Sequence, residues 1–475
     1  MTKMLALWVT LYFGGLVRGI VHPIYPLVSY LIFYYLPPHL NWWGDVMPDL
    51  RYSLLASAVL VASLVLRGGA LAPVAAVKNH AFKWFALFGA NSVMVTMLWS
   101  LNAARSWVHS IAVLKLVLLY ALIPATIRTQ AHFDVFGAFH VAGAFYWGYK
   151  AWDDPNRSAG RLEDVGGPDT QNDNQAAGHL LTVIPFAAVY VLTERRKFRQ
   201  FLAVVAAGFI VNVFILCNSR GATLGLLAGG LAAVVLAGKG RRMKLVALGV
   251  GGLFMLLLLA DTQFIERQQT TADPQDNSAQ SRLEMWRAGL EIIRDYPLGG
   301  GGRTFHILSP RYIPEILAND RVEERSPHNT FVQLATDWGV QGTVIYALFL
   351  IATFRMLHQV RQQSRDNPWY FYRGMAIQCG LIGTLTAGFF TNRLYGESIY
   401  WLCALAFALH RIQRTELAAQ AANTQSGTSD AAGTVAGEPL ASPSSSGHRL
   451  PTAAGLAVRR MAGTAQPQRS IRGAP

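Results

Sequence analysis

GATLGLLAGGLAAVVLAGKGRRMKLVALGVGGLFMLLLLADT, residues 221–262, decides the fold class. Two apolar runs, 221–239 and 243–262, flank a short basic cluster of Lys239, Arg241, Arg242 and Lys244. A helix needs about 20 apolar residues to cross a hydrocarbon layer roughly 30 Å thick, and each run is close to that length. Working outward, the same pattern recurs at 4–36 (interrupted), 51–66, 83–100, 109–126, 132–148, 176–193, 199–216, 339–357, 370–390 and 396–411. A soluble domain would have to hide all of these runs in one core, whereas a bilayer solvates them directly. The composition agrees: 52% of the 475 residues are hydrophobic and 14% charged, against a usual charged share of roughly a quarter. The expected fold is an all-α polytopic membrane protein with about 12 transmembrane helices.

The net charge of +14 does not indicate nucleic-acid binding. The basic residues fall in short clusters between apolar runs, as the positive-inside rule expects, and no basic face on a soluble module is visible. Three clusters, Arg195/Arg196/Lys197/Arg199, Lys239/Arg241/Arg242/Lys244 and Arg355/Arg361/Arg365/Arg373, fall on one side by span counting. That side is then cytoplasmic, and 150–175, 217–220, 263–328 and 391–396 lie opposite. Arg18, His22, Pro23 and Pro26 break the run 4–36, which is one broken span or two short ones; both termini are cytoplasmic if it is one. Cys217, Cys379 and Cys403 lie in or beside apolar runs, without disulfide or metal-ligand spacing.

This divides the chain into an N-terminal transmembrane bundle (1–262), a polar outer loop with short helices (263–338), C-terminal transmembrane helices (339–411) and a tail (412–475). The tail is rich in Ala, Gly, Ser, Thr and Pro and is expected to be a disordered cytoplasmic segment. The stretch 263–328 carries eight arginines and no lysine. A planar guanidinium that stays charged and binds two oxygens at once suits phosphate, although most of these arginines have acidic neighbours to pair with. Arg282 stands in SRLEMWRAGLEIIRDYP, a helix with Ser281 as its expected N-cap, an apolar stripe of Trp286, Leu290 and Ile293, and Pro297 as its stop. Gly299–Gly302 then makes a turn before Arg303, and a glycine run of this kind can also present N–H groups to phosphate. His328 stands in SPHNTFVQLATDWGVQG, residues 326–342, where the loop returns to the membrane. Arg220 stands in CNSRGATLGLL, on the outer side against the charge bias, where an arginine tends to have an anionic partner.

SRGA at Ser219–Ala222, RxxxW at Arg282–Trp286 with PLGGG at Pro297–Gly301, and PHN at Pro327–Asn329 followed by DWGVQG occur in that order around one long outer loop. This ordered set resembles the O-antigen ligase and polymerase superfamily. RLEDVGGPDTQNDNQAAGHL, Arg161–Leu180, looks like the outer segment before that family's middle spans. PPHLNWWGDVMPDLRYSLL near the N-terminus is similar to a subgroup of probable O-glycosylation ligases of exopolysaccharide clusters. The resemblance implies a glycosyltransferase-C-like bundle in the bacterial inner membrane, with its active site facing the periplasm. It implies an undecaprenyl-pyrophosphate-linked glycan as donor, a glycan, lipid or protein acceptor, and no metal or other cofactor. Carried over by motif, the family's catalytic residues fall on His328, Arg282 and Arg220. Arg303, Asp173, Asn174, Arg393, Tyr395 and Glu397 are candidates for substrate contact from the outer side.

On this basis the expected chemistry is metal-independent transfer to an acceptor hydroxyl with inversion at the anomeric carbon. A polymerase of the same superfamily and an oligosaccharyltransferase acting on protein hydroxyls share that chemistry and differ in acceptor. A lipid-linked glycan flippase would instead need charges in the middle of several spans and paired broken helices in two halves. Lys115 is the main mid-span charge. A membrane anchor for a larger complex would explain the tail and leave the arginines without a purpose.

Overall fold

The apolar runs form helices, and the polar interruptions end them. In a computed structural model, residues 3–66, 79–153, 157–158, 161–163, 165–170, 172–269, 277–313 and 324–433 are described. The helices are α1 Lys3–Arg18, α2 Ile24–Tyr35, α3 Tyr52–Leu66, α4 His80–Leu98, α5 Ala103–Thr126, α6 Gln130–Asp153, α7 Asp173–Thr193 and α8 Lys197–Leu216. They continue as α9 Arg220–Leu236, α10 Lys239–Leu259, α11 Thr262–Gln269, α12 Asn277–Asp295, α13 Thr304–Tyr312, α14 Thr330–Gln363, α15 Pro368–Ala387 and α16 Glu397–Gly433. A two-residue antiparallel ladder pairs Arg157–Ser158 with Arg161–Leu162 in the connection after α6. Among the described residues, α4, α5, α7, α8, α10 and α14 are each long and apolar enough to cross a membrane. The chain is thus an all-α polytopic membrane protein.

The interrupted first run is two helices. The chain turns at Gly19–Pro23, and α2 packs back on α1, with the Ser29 hydroxyl donating to the Tyr12 carbonyl at 2.9 Å. Hydrogen bonds then sort the helix ends into two groups. At one end Arg361 donates to Leu236 O (3.2 Å), Arg411 donates to Ile127 O (3.1 Å), and Asp134 receives Arg373 (2.6 Å) and Trp369 (3.0 Å). The basic clusters lie here. At the other end Lys150 donates to Leu40 O (3.1 Å), Leu101 N to Gly300 O (2.8 Å), and Arg157 pairs with Asp261 (2.8 Å). The described residues of 263–338 belong to this loop end. Because α1 and α2 are separate, Lys3 also lies here, near the 36–43 segment that receives the Trp8 indole N–H on Leu36 O. A single first span would have put it with the basic clusters.

Between the ends, aromatic stacking and small-residue contacts hold the helices together. Phe85 of α4 stacks on Phe349 of α14 (4.6 Å) and on Tyr400 of α16 (4.9 Å). α9 and α15 approach so closely that a Cβ at Gly225 would lie 2.5 Å from Gly383 O, the small-residue contact common between helices in lipid.

Two boundaries and one packed face differ from the sequence expectation. α12 begins at Asn277 rather than after a cap at Ser281. Its packed face is Met285, Ala288 and Ile292, set against Phe305, Leu308 and Val332, while Leu290 is 65% exposed. The last helix passes through residue 412, where a disordered tail was expected to begin, and continues to Gly433. Ala-rich sequence favours helix here, and Gln413 ties it down by donating to Val360 O at 2.8 Å. Residues 434–475 of the expected tail lie outside the described residues, as do Arg321 and Glu323.

Candidate active site

The loop end is organised around a break in α14. Gly339 has φ 76° and ψ 176°, a conformation essentially restricted to glycine, and the helix changes direction there. The glycine turn after α12 fits into the break. Gly300 N donates to Thr336 O (3.0 Å), Gly301 N to Asp337 O (2.9 Å), and Val340 N to Pro297 O (2.9 Å). Gly299 N donates to Tyr296 O and Gly302 N to Ser106 Oγ. All four N–H groups of Gly299–Gly302 are therefore spent on protein acceptors. The glycines serve backbone-to-backbone docking, not a phosphate cradle.

Docking of the turn also positions residues 303–306. Arg303 leaves the turn in a left-handed conformation (φ 67°) and α13 starts, with Thr304 N donating to buried Asp337 Oδ1 at 3.0 Å. The other Asp337 oxygen receives the Tyr395 hydroxyl at 2.9 Å. Burial and the nearby Asp337 charge hold the Tyr395 phenol well above its usual pKa, so it stays protonated and donates. Asp337 thus ties the 303–306 turn to the 388–396 connection.

That connection is stitched to the PHN segment. Thr330 N donates to Gly388 O (2.7 Å), Thr330 Oγ1 to Thr391 O (2.7 Å), Arg393 N to Thr330 Oγ1 (2.9 Å), and Asn392 Nδ2 to Ser326 Oγ. The result is a polar cavity of about 410 Å³ lined by His109, Pro168, Asp169, Gln175, Arg303, His306, Gln333, Asn392, Arg393, Tyr395 and Gly396.

Arg303, Arg393 and Tyr395, named from sequence, are in this wall. The Arg393 guanidinium is almost fully buried and donates to Asp169 O (2.8 Å) and Ser398 Oγ (3.1 Å). Asp169 also receives the Tyr34 hydroxyl and the Glu397 N–H, and Glu397 accepts from Tyr30. Asp173 and Asn174 stand instead at the start of α7. There Asn174 Oδ1 receives the Ser219 hydroxyl at 2.7 Å, one residue from Arg220.

Arg282 and His328 stand together beside the cavity next to two aromatic rings, and the start of α9 at Arg220 adjoins the same rings. Arg220 is the first residue of α9, and its neighbour Gly221 lies against Phe390. Phe390 faces Trp286 with ring centroids 6.1 Å apart, and the Trp286 indole donates to Pro327 O at 3.2 Å. His328 comes directly after Pro327, with φ 45°. Partial desolvation, then the guanidiniums of Arg282 and Arg325, hold its pKa below 6.5, so the imidazole is neutral at pH 7.

Among the described residues, the non-glycine residues with positive φ are Asn218 (49°), Arg303 (67°) and His328 (45°). All three belong to this end of the bundle. Left-handed backbone costs a non-glycine residue of order 1 kcal/mol or more, and such strain concentrates at functional sites.

Sequence reasoning missed His109, Asp169, Gln175, His306, Gln333 and Asn392. For His306 a signal was present: it lies one helical turn beyond Arg303, directly after the glycine motif. For Asp169 the signal was its place in the 161–180 segment. Nothing local marks the others, since α5, α14 and the 388–396 connection meet only in the fold.

Residues 202–347 match the family model described as O-Antigen ligase. The match runs from α8 to beyond the break in α14. It takes in Arg220, Arg282, Arg303, His306, His328, Gln333 and Asp337, and leaves out the walls supplied by α5, by 165–175 and by 388–396. No curated protein matches the chain.

Proposed function

We propose that this chain, whose residues 202–347 match the O-antigen ligase family model, acts as a member of that superfamily and transfers a glycan from undecaprenyl pyrophosphate to an acceptor hydroxyl at the periplasmic face of a bacterial inner membrane. The observation that carries this reading is the convergence of Arg220, Arg282 and His328 around Phe390 and Trp286, next to a polar cavity and on strained backbone at His328 and Arg303. The basic clusters at the opposite end support a periplasmic orientation for this one.

In this mechanism the acceptor hydroxyl attacks the anomeric carbon as the bond from that carbon to the pyrophosphate oxygen breaks. The hydroxyl proton passes to His328, whose neutral imidazole can accept it. Both leaving-group electrons stay on the pyrophosphate, and Arg220 and Arg282 stabilise the charge that develops there. No metal is required for that step, and displacement from one side inverts the anomeric centre. Arg303, Arg393 and Tyr395 shape the sugar-bearing side, and Asp173 and Asn174 flank the Arg220 side, where Asn174 holds Ser219.

The test is transfer by the full chain in vesicles supplied with lipid-linked glycan and candidate acceptors. Formation of a new glycosidic bond that is lost in His328→Ala supports the reading. Movement of glycan across the vesicle without bond formation would make the protein a flippase.

A further inference from the structure

The cavity of about 410 Å³ falls within the roughly 300–1,000 Å³ range of small-molecule sites. Its wall carries polar atoms that the protein does not satisfy. His306 Nδ1, Gln333 Oε1 and Asn392 Oδ1 are each buried and have no hydrogen-bond partner among the described residues. Buried polar groups left unpaired cost about 1–3 kcal/mol each, so three of them on residues that line one cavity are a strong departure from a self-satisfied interior. They come from three separate elements, α13, α14 and the 388–396 connection, so no single local distortion explains them.

Their chemistry selects a ligand. Gln333 and Asn392 offer carbonyl oxygens, which only accept. His306 is neutral, with a pKa pushed down to about 4 by burial first and then by Arg303, so it is not a cation waiting for an anion. His109 Nδ1 pairs with the Arg105 carbonyl at 3.0 Å, which makes that nitrogen the donor and leaves the lone pair on Nε2. The Asp169 carboxylate is a further acceptor. Of the guanidiniums, that of Arg393 is committed to Asp169 and Ser398. A pyrophosphate brings only acceptor oxygens and would find Arg303 as its cation amid a wall otherwise rich in acceptors. A sugar brings several O–H donors on one ring, and the Tyr395 and His109 rings, edge to face at 4.8 Å, supply an aromatic wall for its C–H faces.

We infer that this cavity seats the acceptor sugar, with its hydroxyls donating to His306, Gln333 and Asn392, while the pyrophosphate lies on the Arg220–Arg282 side. The assignment rests on the glycan-transfer reading for the word acceptor, but the binding of a sugar can be measured without any transfer.

The experiment uses the full chain in lipid nanodiscs and saturation-transfer NMR. The probes are glucose, galactose, mannose and N-acetylglucosamine, with inorganic pyrophosphate measured separately. At least one sugar should bind the unaltered protein. Gln333→Met and His306→Phe should each weaken that binding by about tenfold, the usual consequence of removing one partner of a buried hydrogen bond, and leave pyrophosphate binding intact. Retained pyrophosphate binding also reports that the variants are folded; Asn392→Ala, in a connection rather than a helix, gives a third variant if either helical one collapses. Absence of binding by all four sugars, sugar binding indifferent to these substitutions, or selective loss of pyrophosphate binding would each overturn the assignment. Sugar binding with the expected sensitivity, in a protein that forms no glycosidic bond, would leave the subsite standing and sink the transfer reading instead.

Discussion

The histidines of the bundle interior and those of the loop end obey opposite rules. In the interior, His179 pairs through Nδ1 with the Tyr34 hydroxyl (3.1 Å) and through Nε2 with the Tyr35 hydroxyl (2.8 Å). His140 pairs through Nδ1 with Tyr35 (2.6 Å) and through Nε2 with Thr182 (3.2 Å). Every ring nitrogen of that pair is used. At the loop end, His306 keeps an unpartnered buried nitrogen, and His328 sits on left-handed backbone beside two arginines. A saturated buried network holds helices in register; an unsaturated one at a cavity is held ready for something from outside. Asp169 belongs to both, receiving Tyr34 from the interior network while lining the cavity.

His328→Ala tests the contrast most severely. Loss of a general base typically lowers the rate by about 10²–10⁴-fold, while an exposed residue at a connection contributes little to folding. The expected outcome is near-complete loss of transfer with unchanged thermal unfolding of the purified protein. The same group sets a pH limb. With its pKa below 6.5, the base is lost only as pH falls through that lower value, so kcat/KM should be flat near pH 7 and decline on the acid side below 6.5. An inflection above 6.5 would assign the proton transfer to another residue.

The same contrast explains how much was legible in the sequence. The apolar runs are local, and most became a helix within a few residues of the expected bounds: 176–193 became Asp173–Thr193, and 199–216 became Lys197–Leu216, whereas 4–36 split in two, 339–357 lies inside the longer Thr330–Gln363, and 396–411 opens Glu397–Gly433. Proline, glycine and charge between Arg18 and Pro26 marked the break in the first run without deciding its outcome, which the Ser29–Tyr12 packing settles. Arg282, His328 and Arg220 stood in motifs and could be named. The interior pair could not, because His140 and His179 read as ordinary polar residues within spans until Tyr34 and Tyr35 arrive from over a hundred residues away. The glycine run was ambiguous between turn and anion cradle for a related reason: three of its hydrogen-bond partners are distant in sequence, Thr336 and Asp337 on α14 just before Gly339 and Ser106 on α5.

Gly339→Ala should have the next largest effect, because Gly339 links the two regions. A Cβ there would lie 2.4 Å from the Leu298 carbonyl carbon, on backbone that only glycine adopts readily. Strain of this kind costs about 1–3 kcal/mol before any overlap is relieved. The variant should unfold at lower temperature and also lose transfer, since the 297–303 turn and Asp337 both depend on the break. Full activity would mean that the turn docks without it.

His179→Phe separates the regions from the opposite side. It keeps a flat aromatic ring but leaves the Tyr34 and Tyr35 hydroxyls short of a partner, at a cost of about 1–3 kcal/mol for a buried polar group. Thermal unfolding should move accordingly, while the pH limb of transfer by the surviving folded protein stays where it is. A displaced limb would tie the interior network to the proton transfer through Asp169 and remove the distinction between the two histidine sets.

The smallest effect is expected where the loop end makes a conspicuous but exposed contact. Arg105 at the start of α5 pairs with Glu324 just before the PHN segment, and both side chains are about a third or more open to solvent. The hydrogen bond from Arg105 holds the Glu324 carboxyl below 4.5. A depressed acid stabilises the fold above its unfolded-state value and ceases to do so as pH falls through the folded value, so any contribution is already complete at neutral pH. Exposed pairs of this kind contribute roughly 0.2–1 kcal/mol and are screened by salt. Glu324→Gln should therefore change unfolding at pH 7 by less than about 1 kcal/mol, with the difference shrinking in high salt. If the substitution instead changed transfer as strongly as His328→Ala, the Arg105–Glu324 pair would belong to the reacting centre, and the boundary between the two regions would move outward to include the start of α5.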